Sequence, residues 1–404
     1  MPFPHRPPRC SYELPSVSPG LPRINPHADV FGPSPRVRNL HVTFAGDPSN
    51  SAVIQWSTDA ATLSSEVHYG EAGHPQDRVA QGYSFTYLGP GAAGRRQHEV
   101  HLCGLDAGRR YTYSVGNGQG PGRGSAGPYS FVTAPPGPSE VRVLVAGDAR
   151  SDPTTWGIVA AHAMAEHPDL LLFTGDAVAD GASQPLWDSF FAASPEFFAN
   201  TPALWSDGNH EGISEVYYAQ FALPANGDPQ RHEHWYTVQY GPLTVVALND
   251  TTVPADEVSG RETRWLRSAL SSIDRVRTPY VVTMHHQPLY TTAVGHLPDE
   301  VTRRAWGPLF DQFHVNADFS GHVHNYESTL PLRAGQIVPA DQGTRYLIFG
   351  GGGAPLYPFR PSEPWVLHHE SVHGYAVLTA GPNRLQWDAH RADGSLIESI
   401  DMLH

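Results

Sequence analysis

Val141-Arg142-Val143-Leu144-Val145-Ala146-Gly147-Asp148 is an apolar run that stops at a glycine and a carboxylate. Leu170-Leu171-Leu172-Phe173-Thr174-Gly175-Asp176 repeats the pattern, and Thr155 to His167 between them reads as a helix. Short apolar runs bounded by turn residues predict buried strands, so the three segments make a βαβ unit. Further apolar runs at 243–248, 280–283 and 346–349 extend the pattern to a layered α/β or α+β domain. Glycine permits a sharp turn. The carboxylate after it is presented at the C-terminal edge of the sheet, where α/β folds place their sites.

Three more stretches of this kind follow: Asp207-Gly208-Asn209-His210-Glu211, Met284-His285-His286-Gln287-Pro288 and Gly321-His322-Val323-His324. A single Gly-Asp is usually a turn, and a lone His-Val-His is more often a strand surface. Five strand-like runs that each end in a potential metal ligand, in this order, are not a chance set.

Upstream, Ala134-Pro135-Pro136-Gly137-Pro138 reads as a linker. Residues 36–134 before it are all-β in pattern, with strand runs at Val53–Ser57, Glu66–Gly70, His98–Leu102 and Tyr111–Val115. The strand, Gly104-Leu105 turn and Tyr111-Thr112-Tyr113 strand resemble the end of a fibronectin type III-like sandwich, a scaffold without chemistry of its own. Residues 1–35 are Pro-rich and aperiodic, and are expected to form an extended arm. The domain expected to carry the chemistry spans 140–404.

The composition is that of an ordinary globular protein, and a net charge of −14 disfavours nucleic acid and anionic membranes as partners. All 26 basic residues are arginine, which removes lysine Schiff-base and P-loop chemistry. The 23 histidines suit metal binding and proton transfer, whereas Cys10 and Cys103 are too few for a thiolate zinc site and can at most form one disulfide. No apolar run reaches membrane-spanning length. The expected location is periplasmic or secreted, with a signal peptide absent from this chain; cytoplasmic is the alternative.

Gly147-Asp148, Gly175-Asp176, Gly208-Asn209-His210-Glu211, His286-Gln287-Pro288-Leu289-Tyr290 and Gly321-His322-Val323-His324-Asn325-Tyr326-Glu327 resemble the ordered motifs of the purple acid phosphatases, within the calcineurin-like metallophosphoesterases. Gly350-Gly351-Gly352-Gly353 and Asp393-Gly394-Ser395-Leu396 match later family features, so the resemblance covers about residues 37–400. It implies a four-layer α/β/β/α domain behind the β-sandwich, and two metal ions of iron, zinc or manganese. By position, Asp176 would bridge the ions. Asp148 and His324 would hold the first, and Asn209, His286 and His322 the second. Two such ions, roughly 3.5–4 Å apart, would polarise a phosphate and direct a metal-bound hydroxide at phosphorus. His210 and His296 are the expected substrate-contacting and proton-donating residues. The His-x-Pro-x-Tyr spacing selects His286 as the ligand and leaves His285 to strand packing.

Two positions depart from the family. Ala179 stands where purple enzymes carry an iron-binding tyrosine, so the protein is expected not to be purple. Arg150 stands where related phosphoesterases supply a histidine. It is expected either to clamp substrate phosphate or to pair with a site carboxylate, while Asp152 or Asp180 is a candidate to complete the first metal. The expected function is hydrolysis of phosphate monoesters on small phosphorylated substrates. The alternatives are a phosphodiesterase acting on nucleotides or lipid headgroups, and a degenerate binding module. Asn249-Asp250-Thr251 has the form of a glycosylation acceptor.

Overall fold

The apolar runs become strands because their residues alternate between two cores. In Leu243–Ala247, Val245 joins one buried cluster and Val246 another; in Tyr280–Met284, Val282 and Val281 divide in the same way. That alternation places the sheet between a second sheet and a layer of helices. The computed structural model describes residues 6–14, 30–116 and 124–403.

Two large sheets carry the fold. A seven-stranded sheet has the order Tyr236–Tyr240, Leu243–Ala247, Tyr280–Met284, Ala317–Ser320, Arg345–Phe349, Tyr326–Thr329, Val366–Glu370. It faces a ten-stranded sheet across an aromatic seam, where Phe319 stacks on Trp387 at 5.1 Å and Trp387 Nε1 donates to the Tyr326 hydroxyl at 3.0 Å. Helix Pro153–Ala165 begins at Asp152, whose carboxylate accepts from the backbone of Thr154 and Thr155, and it buries Trp156 against Phe173 and Phe190. Helices Thr263–Ser271 and Gly307–Phe313 pack Leu266, Leu270, Leu309 and Phe310 into the core on the far side of the other sheet. The α/β/β/α layering behind a β-sandwich is therefore present.

The N-terminal strands are built into the same sheet. The ten-stranded order is Leu396–Asp401, Arg384–Arg391, Gly374–Gly381, Val141–Ala146, Leu170–Phe173, Ala203–Trp205, Arg38–Thr43, Ser51–Asp59, Arg95–Cys103, Tyr83–Phe85. Thr43 pairs in parallel with Ala203, which joins the two halves of the chain by main-chain contact. Side chains reinforce the joint. Thr43 Oγ1 donates to the Ala222 carbonyl at 2.9 Å, and Tyr113 donates to the Ala199 carbonyl at 2.7 Å. A four-stranded sheet, Arg78–Gln81, Glu66–Glu71, Arg110–Val115 and Ala126–Val132, covers the other face of the N-terminal strands through Val67, Tyr111, Tyr113 and Phe131.

Of the arm expected over 1–35, residues 1–5 and 15–29 lie outside the described residues. Its described parts lie on the sandwich. Cys10 and Cys103 form a disulfide with a Cα separation of 5.1 Å, and Tyr12 shares a 2.7 Å hydrogen bond with His101.

A fragment beginning at residue 140 lacks the Arg38–Thr43 partner of Ala203–Trp205 and exposes a strand edge, a ready template for aggregation. The expected outcome is an insoluble or aggregated fragment by light scattering, against a single calorimetric transition for the whole chain.

Candidate active site

Three neighbouring parallel strands deliver the first half of the site. Beyond Val141–Ala146 lies Asp148, beyond Leu170–Phe173 lies Asp176, and beyond Ala203–Trp205 lies Asn209. The seven-stranded sheet delivers the rest, with His286 after Tyr280–Met284 and His322 and His324 after Ala317–Ser320. The two sheets thus bring five chain segments to one edge.

The backbone turns that aim these groups are unusual. Asp148, Asp176 and His322 all adopt left-handed conformations, with φ of 57°, 55° and 63°. Such conformations cost a non-glycine residue roughly 1–2 kcal/mol each, and they cluster where a site holds them in place. Gly175 has φ of 91°, and a Cβ there would lie 2.7 Å from both Gly208 N and His286 Nδ1. Glycine is required for that close approach.

Asn209 Oδ1, His286 Nε2 and His322 Nδ1 form a triangle with edges of 3.0, 2.9 and 3.2 Å. Two imidazole nitrogens that close repel unless a proton or a cation lies between them. Edges of this length suit donors about 2 Å from one ion. His286 is oriented by its Nδ1, which donates to the Thr174 carbonyl at 2.8 Å and leaves Nε2 for the site. Burial alone would lower the pKa of His286, but the Asp176 carboxylate 3.4 Å away holds it up to about 10. Burial, and then the neighbouring His286 charge, pushes His322 down to about 3, which keeps its lone pair available.

The second cluster is Asp148, Asp176 and His324, whose ligand atoms all lie within 4.8 Å of one another. Asp148 and Asp176 are 0% and 1% exposed, and Asp148 Oδ1 is buried with no hydrogen-bond partner. A buried carboxylate oxygen without a hydrogen bond calls for a cation. His324 Nδ1 donates to the Pro355 carbonyl at 2.7 Å, so Nε2 faces Asp148 Oδ1 at 3.5 Å. Such backbone anchoring is the usual support for a metal-binding imidazole. Asp176 reaches both clusters, with Oδ1 near His286 and Oδ2 on the side of Arg150. His286, His210 and the His210 N–H keep its acidity high despite burial. The donor atoms therefore fit two metal positions that share Asp176.

The histidines expected to touch substrate lie at the rim. His210 Nδ1 bonds to the carbonyl of Ala179 at 2.9 Å, and Nε2 lies 3.9 Å from Asp176 Oδ2. His296 Nδ1 lies 3.1 Å from His322 Nε2. Burial, and then the neighbouring His324, lowers the pKa of His296. Arg150 pairs with Asp176 through Nε at 3.3 Å, the carboxylate contact that was one of its two expected roles. Asp152 and Asp180 do not join the site: Asp152 caps its helix, and Asp180 accepts from Ala182 N at 3.0 Å. Asn249 is fully buried and donates to Asp207 and Thr252, so it is not an exposed glycosylation acceptor.

Three contributors had no clear signal in the sequence. Tyr357 stacks on His324 at 4.3 Å and tilts against His296 at 4.4 Å. Its only clue is its place after the glycine run. Glu211 accepts from the backbone N–H groups of Asp176, Ala177 and Gly208, each at 2.8 Å, and so holds two of the site turns. His285 is not merely packed: its ring nitrogens bind Asp250 at 2.8 Å and Asp318 at 3.0 Å. Burial would lower its pKa, but the two carboxylates hold it far above the ordinary value. Asp250 in turn accepts from Gln287 N at 2.8 Å, which fixes the loop that carries His286.

The fold is that of a calcineurin-like phosphoesterase, whose family model matches residues 141–326. The purple acid phosphatase N-terminal domain matches residues 37–133, and the iron/zinc purple acid phosphatase-like protein C domain matches 343–399. The chain is a purple acid phosphatase-like member of that superfamily, and a hydrolase. It is 27% identical over 380 residues to purple acid phosphatase 21 of Arabidopsis thaliana, covering 90% of this chain and 83% of that one. It is 26% identical over 374 residues to phosphoenolpyruvate phosphatase of Allium cepa, covering 84% and 76%. The fold is also that of the purple acid phosphatase from yellow lupin (Lupinus luteus) seeds. That match has a TM-score of 0.78 at 20% identity, over 91% of this chain and 74% of that one.

Asn209→Ala removes one corner of the triangle and is expected to weaken metal retention there by at least about tenfold, read by elemental analysis after gel filtration. Iron-loaded protein is expected to show no visible charge-transfer band, because position 179 is alanine. A band that Tyr357→Phe abolishes would instead assign a ligand role to that phenol.

Proposed function

We propose that this chain hydrolyses phosphate monoesters at the edge where Asp148, Asp176, Asn209, His286, His322 and His324 converge. The observation that carries the reading is the sharing of Asp176 between two donor clusters, each completed by histidines from the seven-stranded sheet. Asp148, Asp176 and His324 would hold one ion; Asp176, Asn209, His286 and His322 would hold the other. Carboxylate, imidazole and amide oxygen suit iron, zinc or manganese. Two such ions supply the positive charge that polarises the phosphate and acidifies an attacking water.

The protein's own part is to place charges and protons around the phosphate. His210 is fixed through Nδ1 on the Ala179 carbonyl, so Nε2 is the nitrogen left to carry a proton toward the site. This is the group suited to protonate a leaving alkoxide. With His322 Nδ1 turned to the metal position, His322 Nε2–H donates to His296 Nδ1. His296 then keeps its proton on Nε2, available to a phosphate oxygen. Arg150 adds a planar cation on the Asp176 side.

Small phosphorylated metabolites are the substrate class this arrangement favours, in keeping with the phosphoenolpyruvate phosphatase among the relatives. No helix among the described residues is long and apolar enough to cross a membrane. The Cys10–Cys103 disulfide supports export to an oxidising compartment.

Aryl phosphate monoester and diester substrates with the same leaving group test the reading. Metal-loaded protein is expected to favour the monoester in kcat/KM by at least about tenfold, a difference of about 1.4 kcal/mol in transition-state binding. The opposite ratio would assign a phosphodiesterase, and no turnover of either would make the chain a binding module.

A further inference from the structure

Arg150 stands on ground that a first metal ion needs. With the His324 Nδ1 proton committed to the Pro355 carbonyl, Nε2 presents a lone pair, and Arg150 Nη2 lies 3.3 Å from it. The same guanidinium sets Nε 3.3 Å from Asp176 Oδ2. Two of the three side chains in the first cluster are thus in contact with a resident positive charge. The third, Asp148, keeps Oδ1 buried without a hydrogen bond, and Arg150 Nε is likewise buried without a well-formed one. The cluster is partly neutralised in charge and incompletely satisfied in hydrogen bonds.

One imidazole lone pair cannot serve both a guanidinium N–H and a metal ion. Two cations a few ångströms apart in a partly buried site also repel strongly. One group must move, and the contacts decide which. His324 is 1% exposed, held by the Pro355 carbonyl and covered by the Tyr357 ring. Asp176 is held by the His210 N–H at 2.9 Å. The Arg150 side chain is 17% exposed at the mouth of the site and has three flexible methylenes behind its head group.

We propose that Arg150 is an exchangeable cation at the first metal position. Its guanidinium neutralises Asp176 and caps His324 while that position is free, and swings outward when a divalent ion takes those atoms. Outside, it is placed to pair with a phosphate oxygen. This inference rests on the two-ion reading above. Its consequence is ordered loading: the Asn209–His286–His322 position fills tightly, and the Asp148–Asp176–His324 position fills only against the guanidinium.

Calorimetric titration of the metal-free chain with zinc or manganese, with elemental analysis of the product, tests it. Wild-type protein is expected to show two steps whose dissociation constants differ by at least about tenfold. Arg150→Ala and Arg150→Gln are expected to tighten the weaker step to within about threefold of the other, leaving the tight step unchanged. Asn209→Ala is expected to abolish the tight step. Equal affinities in wild type, or a weak step that neither Arg150 variant alters, would overturn the proposal. A tight step that survives Asn209→Ala would remove the two-position reading and this proposal with it.

Discussion

Asp148 and Asp176 are two carboxylates withdrawn from water at the ends of adjacent parallel strands, 0% and 1% exposed. An isolated buried carboxylate is costly enough that it must be paired, protonated or bound to metal. Much of the site answers that demand. His286 carries positive charge beside Asp176, Arg150 lies on its other oxygen, and backbone N–H groups of His210 and His322 reach the two carboxylates. These groups balance the charge without enclosing either carboxylate completely. Metal ions of higher charge and smaller size are the natural occupants.

Holding the carboxylates there strains the backbone at Asp148, Asp176 and His322, and the surrounding structure must over-determine all three turns. Glu211 does so through three main-chain hydrogen bonds, and Asp250 does the same for the His286 loop while pairing with His285. These buried acids are not placed to touch substrate. Their work is to keep the donor atoms in register, and a well-oriented donor set needs such support as much as it needs the donors.

The β-sandwich contributes in the same mechanical sense. Its Arg38–Thr43 strand continues the sheet that carries Asp148, Asp176 and Asn209, and it closes an edge beside Ala203–Trp205. A linker of prolines and glycine suggests two independent bodies. Main-chain pairing between Thr43 and Ala203 makes one sheet of them, because a strand edge lowers its free energy by finding a partner.

Much of the fold and the order of the site were legible in the chain. Apolar alternation and strand-ending glycines act over a few residues, so the strands and the Gly-Asp, Asn-His and His-Val-His termini could be read from local pattern. What could not be read depends on contacts between residues far apart. Arg150 and His324 are 174 positions apart, and His285 meets carboxylates 35 and 33 positions away. The pairing of Cys10 with Cys103 and the arrival of Tyr357 on His324 are of the same kind. The sequence by itself determined which residue types stand at the sheet's edge, because turns and strands are written in near neighbours. The tertiary structure alone decided which imidazole nitrogen faces the site and which cation sits on Asp176, because those follow from hydrogen bonds that close only when distant segments pack.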